Sequence, residues 1–217
     1  MRPGDNDSEV TGVLLAGGRS SRMGGREKAL LDIGGQPMLL HVLSRLRPQV
    51  GRIVINANGD PARFSGYCLP VVPDCLEGFA GPLAGLQAGL EWARAETPEA
   101  KFIASVSVDC PFAPLDLVSR LKSALMSANA PCAIAASNGA RHPVAGLWRV
   151  ELSCALATAL KSNIRALHRF ADSCGSAVVE FDPVDINGTS VDPFFNVNAP
   201  ADLEKARALF NAEAVRD

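Results

Sequence analysis

The sequence has no apolar run approaching the ~20 residues needed to span a bilayer. Its first ten residues, MRPGDNDSEV, lack the apolar segment of a secretory signal. A cytoplasmic location without a membrane partner is expected. A charge excess is missing as well: 21 Lys and Arg stand against 23 Asp and Glu, a formal net charge of -2. That balance disfavours nucleic acid as a partner, so any bound anion must be held by a local cluster of cations. The six cysteines, at 68, 75, 110, 132, 154 and 174, form no CxxC pair, which argues against a zinc ribbon or a thioredoxin-like redox motif. With no export signal they are expected to be reduced. No internal repeat is visible, and none of the three histidines stands out as a general base.

What is present is a globular composition, 47% hydrophobic and 20% charged over 217 residues, which suits a single domain with a substantial core. Residues 1–9 read as a flexible N-terminus. Beyond them, short β-branched runs alternate with helical periodicity. TGVLLAGG (11–18), RIVINAN (52–58), LPVVPD (69–74) and KFIASVSVDCP (101–111) read as strands. Between them, QPMLLHVLSRLRPQ (36–49) has Pro37 where a helix can start and Pro48 where it must end. GPLAGLQAGLEWARAE (81–96) puts Leu83, Leu86, Leu90 and Ala93 on one helical face, and PLDLVSRLKSALMSA (114–128) is a third helix. Strands separated by helices pair in parallel, which predicts a three-layer α/β fold.

After residue 130 the pattern changes. PCAIAASNGARHPVAGLWRV (131–150) predicts two antiparallel strands around an Asn138-Gly139 turn. Two helices, a strand (SAVVEFD) and a closing helix (APADLEKARALF) follow, and the second half is expected to lie over one face of a mixed sheet as a lid.

The loop LLAGGRSSRMGGREKALL (14–31) is rich in glycine and cations. It is not a P-loop, because Gly25 stands where GxxxxGK needs lysine, and adjacent Gly17 and Gly18 break the dinucleotide pattern GxGxxG. Its physics is nonetheless that of an anion cradle: glycines let backbone N–H groups approach oxygens, and Arg19, Arg22, Arg26 and Lys28 supply charge. An ordinary βα turn with solvated arginines is the competing reading. In open α/β sheets ligands sit at the carboxyl ends of strands, where this loop begins. Asn56, Asp74 and Asp109 mark the ends of the next three strands and should converge there. Asp109 in VDCP suits Mg²⁺, which commonly takes one or two carboxylates plus substrate phosphates; a turn aspartate before proline is the alternative.

These segments carry a family resemblance. LLAGGRSSRMGGREKALL resembles the LAGGxSxRMGxxK signature of nucleotidyltransferases. With VINAN, VVPDCLEGFAGPLAGL, VDCPF, HPVAGLW and FFNVNAPADL, in that order, nearly the whole chain is similar to the molybdenum cofactor guanylyltransferases of the MobA type. The resemblance implies a Rossmann-like nucleotidyltransferase fold, mostly parallel with an antiparallel portion in the second half. It implies a nucleotide half at about 11–110 and an acceptor half at about 130–200 of a single domain spanning 1–217. By the same resemblance Leu15, Ala16, Gly17 and Gly18 hold the base and ribose side of GTP, Arg22 and Lys28 the triphosphate, Asn56 and Asp74 the guanosine, and Asp109 both nucleotide and Mg²⁺. Gly81 and Gly85 would let their segment close on the nucleotide, while Arg165, Asn196 and Asn198 would serve the pterin.

The implied reaction is attack by the terminal phosphate of molybdopterin on the α-phosphorus of GTP, with Arg22, Lys28 and Mg²⁺ offsetting the repulsion between two anions. No general base is needed, because the nucleophile is already ionised near neutral pH. His142 is placed either at the acceptor or in a structural turn, and His41 and His168 in packing or on the surface. Protein partners implied are a molybdenum-insertion protein, cofactor chaperones or apo-oxidoreductases. Rival functions are a molybdopterin cytidylyltransferase, a sugar- or polyol-phosphate nucleotidyltransferase, and a non-catalytic GTP-binding protein that delivers cofactor. The DCLEGFAGPLAG block argues against the two enzymes, and intact Lys28 and Asp109 against the third.

Overall fold

A computed structural model of the chain describes residues 7–17, 27–75 and 81–211. Strand β1 (Val10–Leu15) is buried at every position, as expected of a strand covered on both faces. It pairs in parallel with β4 (Arg52–Asn56) on one side and with β6 (Phe102–Ser107) on the other. A small hairpin, β2 (Asp32–Ile33) and β3 (Gln36–Pro37), precedes helix α1 (Met38–Leu46). Beyond β4 lies β5 (Val71–Val72), from which α2 (Pro82–Glu96) crosses to β6, and α3 (Leu117–Ser127) follows β6.

The second half enlarges the sheet. Strands β7 (Cys132–Ser137), β8 (Ala140–Arg149) and β9 (Ala177–Glu180) complete a seven-stranded sheet of order β5-β4-β1-β6-β8-β7-β9, in which β8 alone runs antiparallel to its neighbours. The mostly parallel, three-layer fold thus agrees with the sequence pattern. The expected lid does not: β8 pairs directly with β6, so the second half continues the sheet, with its helices α4 (Ser153–Lys161) and α5 (Leu167–Cys174) covering one face. The Asn138-Gly139 turn joins β7 to β8 with φ of +49° and +76°, the left-handed pair that tight hairpins favour. The pairing then jumps from Ala135↔His142 to Ile134↔Gly146. Pro143, with no N–H to give the ladder, falls in this irregular stretch.

Alternation along the strands divides the core between the two faces. Val10, Leu14, Ile53, Ile55, Phe102 and Ala104 pack on the side of α1 and α3. Val13, Leu15, Val54, Ile103, Ile134 and Trp148 pack on the side of α2, α4 and α5. The helical face expected from Leu83, Leu86, Leu90 and Ala93 is fully buried in this second layer. A third cluster joins Ile33, Met38 and Phe112 to the closing helix α6 (Pro200–Asn211). A second hairpin, β10 (Val184–Ile186) with β11 (Thr189–Val191), flanks it.

Of the stretch 1–9, residues 7–9 are described: Asp7 is buried and bonds Lys122, which also bonds Glu9. All six cysteines are free thiols. Burial pushes the Cys132 thiol up to about 12 and that of Cys110 well above its usual value, so neither is poised as a nucleophile.

Candidate active site

Register decides what meets at the carboxyl edge of the sheet. Leu15 lies opposite Asn56 on one side and Ser107 on the other, and Asn56 lies opposite Val72. The ends of β1, β4, β5 and β6 therefore form one line, and the strand order reverses between β1 and β6: from β1 the chain goes on to β4 and from β6 to β7, toward opposite edges of the sheet. That is the topological switch point at which open α/β sheets bind ligands. Leu15 and Ala16 are buried there and Gly17 is exposed. Gly18, Arg19, Arg22 and Arg26 lie outside the described residues.

On the β4–β5 side, Asn56 is 2% exposed and donates through Nδ2 to Val72 O at 3.2 Å and to Asp74 Oδ1 at 3.1 Å. Asp74 is further fixed by Asn58, a residue the sequence reading passed over. Asn58 Nδ2 donates to Asp74 Oδ2 at 2.7 Å, and Asp74 N–H donates to Asn58 Oδ1 at 2.8 Å. The Asn58 carbonyl accepts from Arg63, whose guanidinium also pairs with Glu27 at 3.2 Å. Only the i, i+2 spacing of Asn56 and Asn58 in NAN could have signalled this support.

Gly85 stands on α2 against these strand ends. It is buried, and a Cβ there would lie 2.2 Å from Asn56 Oδ1 and 2.8 Å from Leu15 Cδ2. Its missing side chain lets α2 pack against the ends of β1 and β4. Gly81 is exposed, caps the start of α2 at φ +78°, and faces the Arg165 carbonyl across 3.7 Å from its absent Cβ position. The side chain of Arg165 is exposed and held by Asn163 Oδ1 at 2.9 Å.

On the β6 side, Asp109 follows the strand end with its side chain 15% exposed. Burial pushes its carboxyl above the usual carboxylate range, and a Ser107 hydrogen bond and the charge of Lys28 offset only part of that. Lys28 Nζ is 3.8 Å from Asp109 Oδ2, too long for a close ion pair, and donates to Asn198 Oδ1 at 2.8 Å. Val197 N–H donates to the Asp109 carbonyl at 2.9 Å. The structure thus brings together Lys28 and Asp109, placed by sequence in the nucleotide half, and Asn198, placed in the acceptor half. Asn196 is exposed on the same segment.

Whether Asn198 merely caps α6 is answered by Asp202. Asp202 Oδ2 accepts from Asn198 N–H at 3.0 Å and Ala199 N–H at 2.8 Å, leaving the Asn198 amide for Lys28. His142 bonds Ser137 Oγ at 2.8 Å and stacks on Phe194. His41 bonds Ile33 O at 2.7 Å and packs on Phe210, and His168 is exposed.

Among the described residues no group of three or more His, Cys, Asp or Glu could hold a metal by itself. A lone buried carboxylate instead matches the donor set of Mg²⁺, which completes its shell with phosphates and water.

Comparison with known proteins accords with this geometry. The MobA-like NTP transferase domain matches residues 12–176. The molybdenum cofactor guanylyltransferase of Bradyrhizobium sp. (strain ORS 278) is 49% identical over 201 residues, 92% of each chain. That of Rhodopseudomonas palustris (strain BisB5) is 46% identical over 94% of each. Among solved structures, molybdopterin-guanine dinucleotide biosynthesis protein A from Archaeoglobus fulgidus has a TM-score of 0.71 at 19% identity, covering 93% of this chain and 98% of its own. CMP:2-keto-3-deoxy-manno-octonic acid synthetase, solved with CTP, has a TM-score of 0.70 at 18% identity, covering 94% and 99%; at such identities the likeness concerns the fold. Sequence and fold together place this chain in the MobA-like NTP transferase family, among the molybdenum cofactor guanylyltransferases.

Proposed function

We propose that this protein transfers GMP from GTP to the terminal phosphate of molybdopterin, releasing pyrophosphate and forming the guanine dinucleotide cofactor. The observation that carries the reading is Lys28 lying between Asp109 and Asn198, at the line of strand ends where nucleotide and acceptor have to meet. Its charge is placed to offset the repulsion between a triphosphate and a second phosphate.

In the reaction an acceptor phosphate oxygen attacks the α-phosphorus, and the bond from that phosphorus to the bridging oxygen of the β-phosphate breaks, its electron pair leaving on pyrophosphate. Lys28 steadies the charge that grows on the leaving group, with Arg22 beside it in sequence terms. Leu15, Ala16, Gly17 and Gly18 follow the base and ribose. Asn56 and Asp74 recognise guanosine: Asp74, held by Asn56 and Asn58, keeps acceptor capacity for the ring N–H donors. Arg165, Asn196 and Asn198 take the pterin, and Gly81 and Gly85 let their segment close on the nucleotide. Asp109 would hold Mg²⁺, which would neutralise phosphate charge. No helix among the described residues is long and apolar enough to cross a membrane; the proposed setting is the cytoplasm, with product passed to cofactor chaperones or apo-oxidoreductases.

The test is incubation with molybdopterin, Mg²⁺ and each NTP in turn, detecting pyrophosphate and the dinucleotide. Consumption of GTP with formation of the guanine dinucleotide is expected. Preference for CTP, or GTP binding without turnover, would refute the reading.

A further inference from the structure

Asn196 and Asn198 sit on a stretch, 192–199, that contains neither helix nor strand. A ladder cannot fix their place. The contacts that do so begin at Asp192. Its Oδ1 accepts from Ser137 Oγ at 2.8 Å and from the Phe194 N–H at 2.8 Å, while Oδ2 accepts from Asn138 Nδ2 at 3.1 Å. Ser137 is completely buried at the end of β7, so one anchor of this arrangement belongs to the sheet itself. Since the single hydroxyl proton of Ser137 goes to Asp192, its oxygen must accept from His142, which places a proton on Nε2. The His142 ring stacks on Phe194 at 4.7 Å, and Phe194 meets Phe181 edge-on at 5.5 Å. Phe194 is thereby held at its N–H by Asp192 and at its ring by two aromatics. Three residues on, Val197 N–H reaches the Asp109 carbonyl, and Asn198 reaches Lys28.

From this geometry we propose that Asp192 is a positioning residue that sets the 194–198 segment, and with it Asn196 and Asn198, against Asp109 and Lys28. A carboxylate suits the task because it accepts three hydrogen bonds through two oxygens, whereas an amide side chain offers one acceptor oxygen. Burial works against its charge, but the Phe194 N–H, Ser137 and Asn138 outweigh that and keep the Asp192 carboxyl below its usual range. The kinetic consequence rests on the function proposed above, since it assigns this segment to the acceptor; the positional one does not.

Asp192→Ala and Asp192→Asn test it through three measurements: amide hydrogen exchange at Phe194 and Val197, GTP affinity by calorimetry, and transfer at varied acceptor concentration. In Asp192→Ala, exchange at both amides should accelerate, and kcat/KM for the acceptor should fall by about tenfold or more, the scale of a lost hydrogen-bonded charge. GTP affinity should fall by less than the acceptor kinetics, because among the described residues the segment touches the proposed nucleotide residues only through the Asn198–Lys28 and Val197–Asp109 hydrogen bonds. Asp192→Asn, which keeps one acceptor oxygen, should recover part of both losses and serves alone if the alanine variant does not fold. Unchanged exchange at Phe194 and Val197 would overturn the proposal, as would a destabilised protein with normal acceptor kinetics, or equal losses for GTP and acceptor. If the unsubstituted protein transfers nothing to molybdopterin, the function fails, and the exchange comparison still decides the role of Asp192.

Discussion

At Asp109 the proposed role in nucleotide and metal binding and the stability of the fold pull in opposite directions. Burial raises its folded-state pKa, so the folded protein binds the proton more tightly than the unfolded chain. The stability this group contributes is present below its unfolded pKa and is lost as pH rises through the folded one. Where the buried carboxyl is ionised, its charge is therefore a liability for folding. Asp109→Asn is expected to raise unfolding stability by about 0.5–2 kcal/mol at neutral pH while abolishing most turnover. In urea titrations at a series of pH values, the advantage should shrink as pH falls into the range where Asp109 is protonated in both states. Lys28→Ala makes the opposite separation: little change in stability, but a loss of about a hundredfold in kcat/KM, typical of removing a group that stabilises transition-state charge. Steady-state kinetics with GTP varied checks it, and an unaltered value would remove Lys28 from the chemistry.

At the scale of elements, α2 approaches the sheet through glycines one turn apart. A Cβ at Gly89 would lie 2.6 Å from Val13 Cγ2, and one at Gly85 within 2.2 Å of Asn56 Oδ1. Gly85→Ala should cost about 1–3 kcal/mol, the usual scale for overpacking. It should also weaken GTP binding, because the displaced side chain is one proposed to meet guanosine. Thermal unfolding and nucleotide titration on the same sample would show both effects. The start of α6 gives a cleaner contrast. Asp202, not Asn198, takes the free N–H groups there, so Asp202→Ala should lower stability by about 1 kcal/mol. Asn198→Ala should leave unfolding nearly unaltered while reducing transfer. Equal destabilisation by the two would return Asn198 to a capping role.

At the scale of the whole molecule, the two functional halves are not two structural ones. Strands β6 and β8 are adjacent in one sheet, and Lys28 reaches across 170 residues of sequence to Asn198. A single cooperative unfolding transition is expected. Trp92 on α2 and Trp148 on β8 report the two halves; single-tryptophan variants made by Trp→Phe should show the same denaturant midpoint, and separated midpoints would contradict the continuity of the sheet. The sequence by itself determined the parallel core, the hairpin at Asn138-Gly139 and the helix bounds at Pro37 and Pro200, because each follows from local periodicity or from a residue with restricted φ. It also placed Asn56, Asp74 and Asp109 at strand ends, since a parallel sheet aligns the ends of successive strands. Tertiary structure alone decided three things: that the second half extends the sheet, that α2 approaches Asn56 at Gly85, and that Lys28 meets Asn198. Asn58 and Asp192 escaped the sequence for the same reason. Which residue supports another depends on strand register and on side chains far apart in the chain, and hydrophobic periodicity records which face is buried, not what lies across it.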